Sequence, residues 1–209
     1  MKILIVDDHA VIHQGLQRML EDEFKGAQFG DARHSQQALD LAFGEPWDVV
    51  ILDIELPGRG GLDVLKQIHA ERPKLPVIIF SMHSEEQFAV RAFKAGALGY
   101  LEKESAPAQL VEAIRKVISG GRYVSPKLAE QLAAGLGADL SREPHEILSD
   151  REFEVLRMIA GGKTTTAIAN QLSLSVKTVS TYRTRILEKL QLTGSPELIR
   201  YAIDHGLDR

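Results

Sequence analysis

Through the first 118 residues, short apolar runs alternate with amphipathic stretches. Ile3–Val6, about Ala27–Gly30, Val49–Leu52, Val77–Phe80 and Gly99–Leu101 read as strands. Between them, Val11–Leu20, Ser35–Leu41, Leu62–Ala70 and Glu85–Ala95 carry helical spacing, and Pro107–Ile118 closes the series. Ile3-Leu4-Ile5-Val6 and Val77-Ile78-Ile79-Phe80 are apolar at every position, the mark of central strands covered on both faces. Strand and helix in strict alternation predict an α/β, doubly wound, five-stranded parallel sheet of flavodoxin-like type with right-handed crossovers. Pro107 belongs in a first helical turn, with Ser105 as its expected cap.

Ser119-Gly120-Gly121 stops that half. Residues 120–145 read as a linker, with a short helix at Pro126–Ala134 followed by Gly135, Gly137 and Pro144. From Leu148 the strand signal is gone. Four helical segments follow, Asp150–Ala160, Thr165–Leu172, Val176–Leu190 and Pro196–His205, which predict a small all-α domain over 146–209. Ser149 with Glu152 forms a capping box, Gly161-Gly162 ends the first helix, Ser175 or Leu174 opens the third, and Ser195-Pro196 opens the fourth.

Composition narrows this little. The chain has 209 residues, enough for two small domains, and no cysteine, which excludes disulfides and thiolate-zinc sites. The seven histidines are scattered without metal-ligand spacing, and no apolar stretch nears the ~20 residues of a membrane span. A cytoplasmic protein is expected. The net charge of −4 is unevenly divided, with +1 over 146–209 and −5 over the rest. Val176–Lys189 holds Lys177, Arg183, Arg185 and Lys189 against Glu188 alone, a bias that a solvated helix face would equally explain.

The strand ends carry the chemistry. Asp7 and Asp8 follow the first strand, Asp53 the third, Ser81 the fourth, and Lys103 the fifth. In an open parallel sheet these C-terminal ends converge on the ligand crevice. An Asp-Asp pair alone is an ordinary strand end, and Lys103 alone a surface lysine. Together, three carboxylates, a hydroxyl and a lysine suit a divalent cation and a phosphoryl group. Asp53 could attack phosphorus to give an acyl phosphate, with the cation and Lys103 absorbing charge.

Phe80-Ser81-Met82-His83, Lys94-Ala95-Gly96-Ala97-Leu98-Gly99-Tyr100-Leu101-Glu102-Lys103 and Leu56-Pro57-Gly58-Arg59-Gly60-Gly61-Leu62 resemble the receiver domain of two-component response regulators of the NarL/FixJ type, over residues 1–119. The resemblance implies Asp53 as phosphoacceptor. It implies Mg²⁺ or Mn²⁺ on Asp7, Asp8, Asp53 and the Glu55 backbone carbonyl. Ser81 and Lys103 would contact the phosphoryl group, and Tyr100 would be the switch aromatic. Glu55 and His83 fall where the family tunes acyl-phosphate lifetime.

In the second half, a helix, a turn at Ser173-Leu174 and a longer helix have helix-turn-helix spacing, which an αα-hairpin would share. On a helical wheel Val179, Ile186 and Leu190, with Val176 nearby, form the core side. Lys177, Thr181, Thr184 and Glu188 lie opposite, flanked by Ser180 and Arg185, and Arg183 falls nearer the core. Leu148–Leu156 and Ile168–Val179 resemble a LuxR-type DNA-binding domain, although Thr165-Thr166-Ala167 replaces the usual Asn-Lys-Glu. Ser180 and Tyr182 likewise replace a common Lys and His. The expected DNA contacts are Thr165, Lys177, Thr178, Ser180, Thr181, Thr184 and Arg185. The resemblance implies that the last helix pairs subunits through Leu198, Ile199, Ala202 and Ile203; the same residues would also cover the small core, and both roles can hold. The partners so implied are a sensor histidine kinase, double-stranded DNA and a second copy when phosphorylated, with RNA polymerase left open and no membrane. Two rivals stand beside this reading, a hydrolase of small phosphate esters and a phosphorylation-independent adaptor. Against the hydrolase, Asp53 is followed by Ile54-Glu55 rather than a second aspartate.

Overall fold

The computed structural model describes residues 1–57, 59–135 and 144–207, without the side chains of 131–135. It divides into two compact units, Met1–Gly137 and Ala138–Arg209. Among the described residues no helix is long and apolar enough to cross a membrane.

The first unit is a parallel sheet in the order β2-β1-β3-β4-β5. Its strands are β1 (Lys2–Val6), β2 (Gln28–Ala32), β3 (Val49–Leu52), β4 (Val77–Ser81) and β5 (Gly99–Glu102). The intervening helices are α1 (Ala10–Glu23), α2 (Ser35–Gly44), α3 (Gly61–Glu71) and α4 (Glu85–Lys94), with α5 (Pro107–Ile118) after β5. Every residue of β3 and β4 is buried, as their uninterrupted apolar character requires. Side chains alternate across the pleat. Ile3, Ile5, Val49, Ile51, Ile78 and Phe80 form one core with Leu16 and Leu20 of α1 and Leu110, Ile114 and Val117 of α5. Each aliphatic side chain buried this fully contributes about 1.5–3 kcal/mol of transfer free energy.

The edge strand β2 lies one to two residues beyond the expected Ala27–Gly30, and only its last residue is buried. The cap of α5 also departs from expectation. Ser105 turns back, its amide donating to the Glu102 carbonyl at 2.9 Å, and Ala106 takes the cap position without a side-chain bond.

Part of the segment expected as linker is structured. Tyr123 bridges to Gly99 beside β5, its amide donating to the Leu98 carbonyl at 2.8 Å. Helix α6 (Pro126–Gly135) follows. The Ser125 hydroxyl accepts from the Leu128 amide at 3.1 Å and itself donates to the Glu85 carboxylate at the start of α4. Lys127 pairs with Glu86 at 3.0 Å, and Leu128 is buried. Residues 136–143 of the expected linker, Gly137 among them, lie outside the described residues.

The second unit begins its described part with a 3-10 turn at Pro144–Ile147, then α7 (Asp150–Ala160), α8 (Thr165–Gln171), α9 (Val176–Leu190) and α10 (Ser195–Asp204). Each start has a local cause. Ser149 and Glu152 form the capping box on α7, Thr164 caps α8, and Ser175 caps α9. Ser173 takes a left-handed φ of 55° in the turn between α8 and α9, and Gln191 (φ 56°) ends α9. Helix α10 starts differently from expectation, with Gly194 at the cap and Ser195 as its first residue.

Candidate functional site

Register brings the acidic residues together. Val6 pairs with Leu52 across β1 and β3, so Asp7 and Asp53 leave adjacent central strands at one end. The Asp53 amide donates to the Val6 carbonyl at 2.9 Å, and the Asp7 amide to the Ala32 carbonyl at 3.0 Å. His13 on α1 holds the Asp7 carbonyl from below, its Nε2 at 2.6 Å. Close packing fixes the other wall. The Gly61 amide donates to the Ile54 carbonyl at 2.8 Å, and a Cβ on Gly61 would sit 1.9 Å from the Asp53 carbonyl oxygen. Only glycine fits where α3 begins.

Lys103 reaches both carboxylates. Its Nζ lies 2.7 Å from Asp53 Oδ2 and 2.5 Å from Asp7 Oδ2, with all three side chains at most 3% exposed. Burial raises the Asp53 pKa above the ordinary carboxylate range; Lys103 pulls against that shift and Asp7 adds to it. For Lys103 burial works toward a lower pKa, but Asp53 and Asp7 outweigh it and the ammonium is held more tightly than usual. Asp8 is exposed at the rim.

Ligand atoms of Asp7, Asp8, His9 and Asp53 lie within 4.8 Å of one another, a group that could hold a metal ion. Carboxylate oxygens dominate it, which suits a hard cation. His9 was not expected here. Its Nδ1 sits 2.7 Å from Asp8 Oδ1 and 3.1 Å from Asp7 Oδ1, so one of the scattered histidines joins the acidic group. The run Asp7-Asp8-His9 was the available signal. The Glu55 amide donates to Asp53 Oδ1 at 3.3 Å, which wraps this loop around the carboxylate.

Ser81 and Tyr100 sit on the neighbouring strands. Both are fully buried. Ser81 Oγ accepts from the His83 amide at 3.3 Å, and the Tyr100 hydroxyl donates to the His83 carbonyl at 2.9 Å. His83 Nε2 in turn lies 3.0 Å from Glu55 Oε1, and its ring stacks on Phe88 at 4.6 Å. The loops after β3 and β4 are thereby tied to each other and to β5.

In the second unit, Val179 and Ile186 of α9 are buried, while Lys177, Ser180, Thr181, Thr184 and Arg185 are exposed on other sides of the helix. Thr178 and Thr165 are half-buried. Arg183 does pack inward, donating from Nε to Ser195 Oγ at 2.8 Å. Val176 departs from expectation: it stands 45% exposed at the first residue of α9, three residues before the buried Val179. The residues expected to pair subunits divide by burial. Leu198 and Ala202 are fully buried, since α10 packs on α7, and only Ile203 (54% exposed) and the half-buried Ile199 face outward.

A pocket of buried carboxylates and one lysine on a doubly wound sheet, in one chain with a helix-turn-helix unit, defines a regulator built from a receiver and a DNA-binding module. Residues 3–115 match the family described as response regulator receiver domain, and residues 146–202 match bacterial regulatory proteins, luxR family. The chain is 38% identical to the response regulator GacA of Pseudomonas syringae pv. syringae (strain B728a) over 208 residues, 99% of this chain and 97% of that one. It is 38% identical to the response regulator UvrY of Escherichia coli (strain K12) over 207 residues, 98% of this chain and 94% of that one. Among solved structures it is similar to a LuxR-family two-component response regulator from Aurantimonas sp. SI85-9A1. There the TM-score is 0.61 and the identity 35%, over 66% of this chain and 98% of that one. It is also similar to RcsB from Salmonella enterica serovar Typhimurium bound to promoter rprA in the presence of phosphomimetic BeF3−. That likeness has a TM-score of 0.65 and 25% identity, over 96% of this chain and 98% of that one. This chain belongs to the two-component response regulators that join a receiver domain to a LuxR-type DNA-binding domain.

Proposed function

We propose that this protein is a phosphorylation-controlled transcription factor of the cytoplasm, with residues 1–119 as receiver and 146–209 as DNA-binding domain. Asp53 accepts a phosphoryl group from the phosphohistidine of a sensor kinase: a carboxylate oxygen attacks phosphorus and the phosphorus–nitrogen bond breaks. The observation that carries this reading is the buried Lys103 ammonium 2.7 Å from Asp53, beside Asp7. A buried acceptor flanked by a fixed cation has its counter-charge in place before the phosphoryl oxygens arrive.

Asp7, Asp8, Asp53 and the Glu55 carbonyl are the residues that would hold Mg²⁺ or Mn²⁺. The bound cation would neutralise charge on the transferred group. Ser81 and Lys103 then bind phosphoryl oxygens. Movement of the Ser81 hydroxyl toward them would disturb the His83 amide it now accepts from, and with it the Tyr100 hydroxyl bonded to the His83 carbonyl.

The output is double-stranded DNA, read by α9 in the major groove, with Thr165, Lys177, Thr178, Ser180, Thr181, Thr184 and Arg185 as contacts. The unit's near-neutral charge supports a dimer, since affinity for DNA grows with the phosphates neutralised and a monomer offers few cations. Paired recognition helices would occupy half-sites about one DNA turn, ~34–36 Å, apart. Ile199 and Ile203 of α10 are the residues available for subunit pairing, and a receiver used for signalling rather than turnover needs no substrate pocket beyond Asp53. Contact with RNA polymerase would then set the sign of regulation.

The test is intact-mass measurement after incubation with Mg²⁺ and a small acyl-phosphate donor, with Asp53→Ala in parallel. One phosphoryl group added to the wild type and none to the variant is the expected result. Equal labelling of both would overturn Asp53 as the acceptor.

A further inference from the structure

The exposed side of α9 has an unusual surface chemistry. Residues four apart on a helix stack into rows. One row runs Val176, Ser180, Thr184, and the next runs Lys177, Thr181, Arg185, with Val176 the one side chain of the six that has no polar group. The three hydroxyls are turned back onto the helix. Ser180 Oγ donates to the Val176 carbonyl at 2.9 Å, Thr181 Oγ1 to the Lys177 carbonyl at 3.0 Å, and Thr184 Oγ1 to the Ser180 carbonyl at 3.1 Å. Ser175 and Thr178 at the start of the helix are likewise bonded to each other, at 2.8 Å.

A hydroxyl bonded in this way has spent its single proton. It can still accept, and Thr181 and Thr184, both exposed residues, each carry a methyl group besides. Val176 adds two more methyl groups at the end of the helix that reaches base edges first. The surface therefore offers methyl groups and acceptors in the middle, with Lys177 and Arg185 as its cations. Neither asparagine nor glutamine, the usual bidentate partners of adenine, occurs in α9. Of the four bases only thymine carries a methyl group into the major groove, and its partner adenine carries an amino donor that a hydroxyl oxygen can accept from. A G·C pair offers two guanine acceptors, which the spent hydroxyls cannot satisfy, and a cytosine amino donor, which they could accept from, so for this surface the methyl group is what separates the pairs.

Resting on the DNA-binding reading above, we propose that Val176, with the methyl group of Thr181, reads thymine 5-methyl groups. The half-site accordingly carries A·T pairs beneath the N-terminal half of α9. Lys177 and Arg185 serve the phosphates and flanking positions. Val176 is thus a specificity-determining residue.

Duplexes are selected from random DNA with the full-length protein, with and without acyl phosphate. Fluorescence anisotropy then measures affinity for the selected duplex and for copies in which each thymine is replaced singly by deoxyuridine, which removes the methyl group alone. One or two replacements per half-site are expected to weaken binding by about three- to fivefold, the worth of one buried methyl group. Val176→Ala or Thr181→Ser, the latter keeping the hydroxyl, should bind thymine and deoxyuridine copies equally at its own position. Indifference of the wild type to every replacement, or an undiminished penalty in both variants, would overturn the inference while leaving DNA binding intact. Failure to enrich any sequence in either state would instead overturn the DNA-binding reading, and this inference with it.

Discussion

Lys103 Nζ lies 2.5 Å from Asp7 and 2.7 Å from Asp53, so one ammonium holds two buried carboxylates together. Removing it should leave both without a counter-ion. Lys103→Met keeps the bulk of the stem and is expected to cost about 3–5 kcal/mol, the usual penalty for breaking a buried pair from one side. A divalent cation on the same carboxylates would recover part of that loss. Thermal unfolding in chelator and in excess Mg²⁺ measures both effects. A variant as stable as wild type in chelator would contradict this account.

The second unit should be sensitive to acid through Glu152. Burial works to raise its pKa, but the Lys189 ammonium at 2.6 Å and the amide and hydroxyl of Ser149 prevail and hold it below the ordinary 4.5. A carboxylate depressed on folding adds stability above its unfolded pKa, and that stability is lost as pH falls through the folded value. Melting curves should therefore drop below about pH 4.5, more steeply in the wild type than in Glu152→Gln. Ser149→Ala removes the reciprocal cap and should cost about 1 kcal/mol at neutral pH.

Helix α6 should depend on the bond from Ser125 to Glu85. Burial, with Glu102 adding, raises the Glu85 pKa even though Ser125 stabilises the charged form. A carboxylate raised on folding contributes stability below its unfolded pKa that is lost as pH rises through the folded value. Glu85→Gln should thus be the more stable protein at pH 7, with the gap closing as pH falls. Ser125→Ala removes the bond and the cap on Leu128 together. Hydrogen exchange should quicken within 126–135 and stay unchanged in α1, and uniform protection in the variant would argue against this anchorage.

Much of this was legible because it depends on chain order. An uninterrupted apolar run ending in aspartate fixes both a central strand and the residue at its C-terminal end, so Asp7, Asp53 and Lys103 converge once the sheet is parallel. The edge strand β2 was placed one to two residues early, since Gln28-Phe29-Gly30-Asp31-Ala32 buries only its last residue and carries no clear alternation. Helical spacing put Val176 beside Val179, but a wheel does not say how far a neighbouring element extends, and Val176 at the first position of α9 stays exposed while Val179 is buried. Leu198 and Ala202, expected at a subunit interface by resemblance, serve this unit's own core instead, the role that any apolar face of a short helix can take. Ser105 is not the cap because Ala106, between it and Pro107, occupies the cap position. The tie between Glu85 and Ser125 joins residues 40 positions apart, and no local pattern announces it.

The bridge from Tyr123 to Gly99 has a consequence for solubility. Strand β5 closes one border of the sheet, and a bare border is a template for strands of other molecules. Tyr123 takes up the Leu98 carbonyl there and lays its buried ring against that side. The stretch that leads away from the receiver thus also seals its margin. A chain ending at Ile118 would keep the whole sheet and all five surrounding helices, yet expose that border and self-associate more readily than one extending through α6.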